Sequence, residues 1–132
     1  MEPMMWYFLT GILERHPNLK IVWVEPGLFW IPGFLEFLDR RMHQHYDFPG
    51  VKELPSTYWK RQMAVTFVDE PEAVNNRYEL GIENLLWSTD FPHPCCNWPN
   101  AQAKVAEMFK DMPEEETDKI TWGNGARMYG FA

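Results

Sequence analysis

Three short apolar runs, residues 19–24, 64–68 and 84–89, are separated by longer stretches in which apolar side chains recur every three to four positions. The first run, residues 19–24, is mostly apolar on both faces, as expected of a strand that is covered on two sides. Strands that alternate with helical segments are typical of βαβ units and a parallel sheet. The pattern therefore predicts an α/β fold with three parallel strands and flanking helices.

Periodicity and breaking residues also predict where the helices and loops lie. Ser56 is expected to cap a short helix. Gly81 is expected to end the helix over residues 71–80 in a left-handed conformation. A long loop is predicted over residues 45–55 and an irregular, proline-rich loop over 91–99. The other predicted helices cover residues 3–15, 32–43, 71–80, 101–110 and 113–121, and a turn at 123–125 leads into a short closing helix.

Composition narrows the class of protein. The chain has 132 residues, 45% of them hydrophobic, and a formal net charge of −7. It lacks the clustered Lys and Arg of nucleic-acid-binding proteins and of proteins that bind anionic membranes. No apolar run approaches the roughly 20 residues of a membrane-spanning helix, and no secretory signal pattern is visible. We expect a cytoplasmic protein that binds neither nucleic acid nor membranes.

The two cysteines, Cys95 and Cys96, are adjacent. A disulfide between neighbouring residues closes no useful loop, so they do not form a stabilising framework. Reduced thiols in a reducing compartment fit this arrangement best. A second cysteine pair that would complete a four-thiolate zinc site is missing from the sequence.

Acidic residues follow all three predicted strands: Glu25, Asp69 and Asp90. Ligands of parallel α/β folds bind outside the carboxyl ends of the strands. Asp90 is the strongest candidate, because a carboxylate there can bind a metal ion and accept a proton; it can equally cap the next turn. Asp69 is expected to cap the helix that begins at Pro71.

The histidines are weaker candidates. His93 follows Asp90 within three residues and lies between two prolines, where it can also be a simple exposed loop residue. His43 and His45 have the spacing of a metal-chelating pair on a strand. They end a predicted helix, however, where residues two apart point in different directions, so we expect them to be solvated.

Residues 85–94 (LLWSTDFPHP) resemble the last barrel strand of the amidohydrolase-related family of metal-dependent hydrolases, the group that includes aminocarboxymuconate semialdehyde decarboxylase. Further segments resemble that family in the same order along the chain. Residues 14–20 and 25–32 are similar to the segments around its sixth strand, 55–61 and 65–67 to the approach to its seventh, and 123–130 to its closing segment.

The resemblance implies a (β/α)8 barrel with a divalent metal, often zinc, that hydrolyses or decarboxylates small aromatic or carboxylated substrates. It implies that Asp90 is a metal ligand and proton-transfer group and that His93 lines the substrate site. Many members have a histidine where this chain has Glu25. Glu25 is then an oxygen ligand of the metal or a carboxylate that contacts substrate; a buried glutamate paired with a basic neighbour is an equal alternative.

A complete barrel takes about 250 residues, so 132 residues are too few for one. We expect residues 1–132 to be a single incomplete domain, the carboxyl-terminal part of the barrel with family strands six to eight. The family's first-strand His-x-His and fifth-strand histidine would precede Met1, which predicts little activity for this chain alone. The alternative is a non-catalytic fragment that folds by pairing with another copy or with a complementary chain, because open sheet edges favour association.

Overall fold

The computed structural model describes residues 1–44 and 48–131, and its strands form one parallel sheet in the order β1-β2-β3. The strands are β1 (Ile21–Trp23), β2 (Met63–Phe67) and β3 (Leu85–Trp87). Val65 in the central strand pairs with Trp23 on one side and Leu85 on the other. This confirms the predicted α/β fold with three parallel strands, although β1 and β3 are shorter than their apolar runs.

Helices precede, connect and follow the strands. They are α1 (Glu2–Leu9), α2 (Ile12–Arg15), α3 (Ile31–Gln44), α4 (Pro55–Gln62), α5 (Pro71–Asn75), α6 (Arg77–Leu80), α7 (Ala101–Met108), α8 (Glu114–Asp118) and α9 (Asn124–Tyr129). A 3₁₀ turn (Ile82–Asn84) precedes β3, and a π-helical turn (Lys119–Gly123) joins α8 to α9. No helix in the described part of the chain has the length and apolar character needed to span a bilayer.

Two predicted helices are each divided in the structure. Gly11 separates α1 from α2 with a positive φ of 70°, and a Cβ there would lie 2.8 Å from the carbonyl oxygen of Gly50. Asn76 separates α5 from α6, and Gly81 follows with a φ of 89° but a ψ of 110°, outside the predicted left-handed helical region. Hydrophobic periodicity continues across both breaks, so it predicted single helices.

Three local predictions were wrong. α4 begins at Pro55, with Leu54 rather than Ser56 at its cap position; the Ser56 N–H instead donates to Asp39 Oδ1 at 3.0 Å. The predicted turn at 123–125 is helical, because the π-helical turn runs directly into α9. Glu70, not Asp69, is at the cap position of α5.

The core lies between the sheet and the helices. Trp59 on α4 is fully buried, and its indole N–H donates to the carbonyl of Leu80 at 2.6 Å. Leu35 and Leu38 on α3 are buried, whereas Phe37 on the same helix is exposed. The predicted loop at 45–55 and the His43–His45 pair lie partly outside the described residues.

Candidate functional site

Glu25 and Asp90 lie at the same edge of the sheet, because each follows the carboxyl end of a parallel strand. Both have a positive φ, 49° for Glu25 and 55° for Asp90. A left-handed backbone costs about 1 kcal/mol or more for a residue with a side chain. Conformations of this kind concentrate at functional sites, where the surrounding structure holds them in place. The two left-handed residues therefore make this edge of the sheet the candidate site.

Hydrogen bonds from neighbouring segments hold these strained backbones. The Glu25 N–H donates to Thr66 Oγ1 on β2 at 2.9 Å, and the Asp90 N–H donates to Ser88 Oγ at 3.1 Å. Glu70 Oε2 accepts from the N–H of Leu28 at 2.8 Å and so fixes the chain that leaves β1. The sequence predicted neither Thr66 nor Glu70. The only signal for Thr66 was a hydroxyl in an otherwise apolar strand.

The carboxyl groups of Glu25 and Asp90 interact directly. Burial raises the pKa of Glu25, the negative charge of Asp90 and their contact raise it further, and Ser88 and His93 act in the opposite direction. Among the described residues, the Oε1 atom of Glu25 is buried without a hydrogen-bond partner. The alternative prediction of a glutamate neutralised by a basic neighbour thus describes Glu25 poorly, since its main partner is another acid.

His93 completes the cluster. Its Nδ1 atom lies 3.1 Å from Oδ2 of Asp90, and the His93 side chain is 61% exposed. The same nitrogen is 3.4 Å from the backbone N–H of Cys95. The carboxylate of Asp90 thus faces the imidazole of His93. The backbone carbonyl of Asp90 accepts a hydrogen bond from the backbone N–H of His93 at 2.7 Å, which closes the turn. The structure brings the three predicted site residues together.

Asp69, at the carboxyl end of β2, does not join the cluster. Its carboxylate is more than half exposed and lies 3.5 Å from the ammonium group of Lys104 on α7. The predicted helix cap at Asp69 is wrong because Glu70 is at the cap position of α5, and the charge of Asp69 pairs with Lys104. Asp69 is a carboxylate at a strand end with an ordinary ion-pair environment.

The Glu25–Asp90 pair has properties of a partial metal site. Within the described residues, no group of three or more His, Cys, Asp and Glu side chains is placed to hold a metal, and neither carboxylate of the pair has a Lys or Arg ion pair. The pair offers one unpartnered buried oxygen and two carboxyl groups in contact. A divalent cation would satisfy both, because it supplies the missing positive charge and takes oxygen ligands.

The loop at residues 91–99 forms one side of the site. It returns to the strand end, where the Asn97 N–H donates to the carbonyl of Thr89 at 3.1 Å. The exposed rings of Phe91 and Trp98 meet edge to face, 5.6 Å apart between centroids. Within the described residues, the Nδ2 atom of Asn97 is a second buried polar atom without a partner. The loop thus returns to the end of β3 and exposes aromatic surface there.

Comparison with protein families gives one match. The family model described as amidohydrolase matches residues 1–131 of the chain. No curated protein matches the sequence significantly.

Solved structures share the fold. A 5-carboxyvanillate decarboxylase from Sphingomonas paucimobilis is 29% identical, with a TM-score of 0.76 over 97% of this chain and 38% of its own. A dihydroxybenzoic acid decarboxylase from Polaromonas sp. JS666, with bound manganese and the inhibitor 2-nitroresorcinol, is 21% identical, with a TM-score of 0.77 over 97% of this chain and 39% of its own. A 2,6-dihydroxybenzoate decarboxylase from Rhizobium is 20% identical, with a TM-score of 0.79 over 97% and 40%. The latter two show the fold alone, and the chain spans about two fifths of each structure.

Proposed function

This chain belongs to the amidohydrolase family, and we propose that it carries part of the active centre of a metal-dependent decarboxylase or hydrolase of small aromatic carboxylates. The observation that carries the proposal is the Glu25–Asp90 pair at the carboxyl edge of the sheet, with its buried, unpartnered oxygen. Decarboxylation is proposed before hydrolysis because the solved structure with 29% identity is a 5-carboxyvanillate decarboxylase.

Glu25 and Asp90 would hold a divalent cation, which when bound polarises substrate oxygens and stabilises negative charge. Carboxylate oxygens are hard donors that suit manganese and magnesium, whereas zinc more often takes nitrogen and sulfur as well. The proposal therefore includes manganese, beside the zinc that the family resemblance implies; the Polaromonas enzyme of the same fold holds manganese. Catalytic zinc sites typically use three protein ligands, so the proposal requires further ligands from outside the described residues.

Asp90 is proposed as the proton-transfer group. Decarboxylation of an aromatic acid leaves an electron pair on the ring carbon, which must take up a proton, and hydrolysis requires a proton to be removed from water. Asp90 Oδ2 is 3.1 Å from Nδ1 of His93, and the exposed imidazole connects that carboxylate to solvent. His93 is proposed to relay the proton and to contact the substrate carboxylate at the rim of the site.

Four apolar side chains around the same edge, three of them aromatic, support an aromatic substrate. Val24 and Phe29 follow β1, Phe91 and Trp98 belong to the loop after β3, and all four are exposed. Exposed apolar surface beside polar groups is typical of binding sites. A planar ring can bind against these side chains while its carboxylate meets the polar cluster.

The proposal also treats residues 1–132 as part of one larger barrel domain. In the described part of the chain, the outer edges of β1 and β3 have no strand partner, because the sheet ends with them. Unpaired edges favour association with further strands. Another copy of the chain or a complementary chain is the proposed partner, and sedimentation at several concentrations measures whether the chain associates; a monomer with a sharp thermal transition counts against it.

Metal titration tests the proposed ligands directly. We expect manganese or zinc to raise the melting temperature of the purified chain, and we expect Glu25→Gln and Asp90→Asn each to weaken binding at least about tenfold, equivalent to about 1.4 kcal/mol. Asp69→Asn is the matched control, since Asp69 is also a strand-end carboxylate but pairs with Lys104.

Two results would contradict the proposal: no metal binding by the wild-type chain, or equal losses in Asp69→Asn and Asp90→Asn. Carbon dioxide release from hydroxybenzoates should be slight for this chain alone, because the described residues supply only part of a ligand set. Rapid turnover that disappears in Asp90→Asn would show that the site is complete.

A further inference from the structure

Cys95 and Cys96 form a pair of adjacent thiols that the proposed function does not use. Both are free; Cys95 is exposed and Cys96 is partly exposed. They lie in the loop between β3 and α7, which the Asn97–Thr89 hydrogen bond ties back to the strand end at 3.1 Å. The loop therefore presents both thiols at the surface, at a fixed place beside the carboxylate cluster.

Adjacent cysteines are poorly placed to form a disulfide with each other. Consecutive Cα atoms are about 3.8 Å apart across a trans peptide, whereas the Cα atoms of ordinary disulfides are roughly 4.4–6.8 Å apart. A bond between Cys95 and Cys96 would be strained and easily reduced. The pair therefore persists as a dithiol under reducing conditions. A larger thiophilic atom can bond to both sulfurs without an S–S bond and without that strain.

We propose that Cys95 and Cys96 form a two-sulfur binding site for trivalent arsenic, with arsenous acid as its simplest ligand. Two S–H and two As–O bonds break, two As–S bonds form, and the thiol protons leave with the hydroxyl groups as two molecules of water. Arsenic stays trivalent, so no oxidant or reductant is needed. Thiolates are soft ligands that suit soft acceptors. The second bond forms within the molecule, at a high effective concentration of thiol.

The backbone of this pair contacts His93. The Cys95 N–H is 3.4 Å from His93 Nδ1, and the Cys96 N–H donates to the His93 carbonyl at 3.0 Å. His93 Nδ1 is also the atom that faces Asp90. A ring closed through arsenic includes the peptide between the two cysteines and therefore the Cys96 N–H. The Cys95 N–H is attached to the ring at the Cys95 Cα, so ring formation constrains both groups that contact His93. Occupation of the dithiol should therefore shift the NMR signals of the His93 imidazole.

Intact-mass analysis of the purified chain with sodium arsenite tests the site. We expect one arsenic atom per chain, the loss of both titratable thiols, and an adduct that survives excess mercaptoethanol but is removed by dimercaptopropanol. Cys95→Ser and Cys96→Ser should each retain at least about tenfold less arsenic under monothiol challenge, because each loses the chelate. His93→Gln should retain the adduct, since the imidazole is not a ligand.

Wild-type protein alkylated with iodoacetamide provides a second measurement that does not depend on how the serine variants fold. It should bind no arsenic. The proposal is overturned if either serine variant or the alkylated protein keeps the adduct, or if His93→Gln loses it. It is equally overturned if wild type binds none, becomes a disulfide without arsenic, or forms two chains bridged by one arsenic atom.

Discussion

Buried polar side chains at the amino end of the sheet have partners, whereas at the carboxyl end some have none. Near the amino ends of the strands, the side-chain amides of Gln62, Asn84 and Asn124 are buried and each lies within hydrogen-bond distance of two or three backbone carbonyls. At the carboxyl end, Glu25 Oε1 and Asn97 Nδ2 are buried and, among the described residues, unpartnered. The three buried amides at the amino end of the sheet are thus hydrogen-bonded, whereas, in the part of the chain that the structure describes, Glu25 Oε1 and Asn97 Nδ2 at the carboxyl end are not.

Asn84 shows most clearly how a hydrogen-bonded amide at the amino end stabilises the sheet. Its Nδ2 atom lies within 2.7–3.2 Å of the carbonyls of Trp59, Lys60 and Met63, at the junction of α4 and β2. The side chain of Asn84 therefore joins the start of β3 to the start of its neighbouring strand. A buried polar group that is fully paired fixes one arrangement of the segments it joins.

The two ends of the sheet differ in how their buried polar groups affect the stability of the fold. Paired groups at the amino end stabilise the sheet, while unpaired groups and left-handed backbones at the carboxyl end cost stability. In barrel enzymes the active site lies at the carboxyl ends of the strands. A cost confined to that end is consistent with a site that gains its missing partner from a ligand.

The largest expected effect is at the amino end. Asn84→Ala removes the donor that the carbonyls of Trp59, Lys60 and Met63 share, and the Asn84 side chain that supplies it is buried. We expect the free energy of unfolding to fall by about 2–4 kcal/mol. Urea denaturation followed by circular dichroism measures the change.

Asn75→Ala is the control for that substitution, because Asn75 is an exposed asparagine on α5. Its effect should stay within about 0.5 kcal/mol, as for most surface substitutions. If the two variants lose similar stability, the hydrogen-bonded amides do not stabilise the amino end, and the contrast between the two ends of the sheet is wrong.

A smaller effect, of opposite sign, is expected at the carboxyl end. In the metal-free chain, Glu25→Gln removes a partly buried negative charge beside Asp90 and supplies an amide donor to that carboxylate. We expect a gain of less than about 1 kcal/mol at neutral pH, measured in the same urea experiment. A substitution that stabilises the protein while it abolishes metal binding would separate the two roles of this edge.

The pH dependence of stability tests whether the negative charge of Glu25 is what destabilises the carboxyl end. Because the folded-state pKa of Glu25 is raised above its usual value of 4.5, the folded protein binds more protons than the unfolded chain in the pH range just above 4.5. Wild type should therefore gain stability from this group as pH falls from neutral towards 4.5. Glu25→Gln should lack this gain, and exposed Glu79→Gln should keep it. An unchanged profile in Glu25→Gln would assign the gain to another group.

Local features of the structure were predictable from the sequence where they depend on nearby residues. The three strands follow from apolar runs, and the edge that carries Glu25 and Asp90 follows from their positions directly after parallel strands. The break at Gly11 was not predicted, because it depends on the distant backbone of Gly50.

The contacts within the site were less predictable. The hydrogen bond from Glu25 to Thr66 joins residues 41 apart in the sequence, and the contact between Glu25 and Asp90 joins two strands that are not neighbours in the sheet. The order of strands in space decides such pairs. Spacing along the chain therefore identified the carboxylates but not their effect on each other.

The smallest expected effect concerns Glu14 on α2, which leads into the amino end of β1. A hydrogen bond from the Tyr58 hydroxyl at 2.9 Å lowers the pKa of Glu14 below 4.5, and the charges of Lys52 and Arg61 lower it further. A lowered pKa stabilises the fold above pH 4.5, and this contribution is lost as pH falls through the folded-state pKa. Glu14→Gln should therefore weaken the loss of stability in acid, as measured by urea midpoints across that range.

Tyr58→Phe separates the hydrogen bond from the ion pairs, because it removes the hydroxyl and keeps the ring. If the hydroxyl is the main cause, Tyr58→Phe should reproduce most of the change in Glu14→Gln, and high salt, which screens the pairs with Lys52 and Arg61 at 3.7 Å, should add little. A strong salt dependence would make the ion pairs dominant instead. In either case Glu14 and Glu25 should respond to acid in opposite directions, because one carboxylate is stabilised by donors and cations and the other faces a second carboxylate.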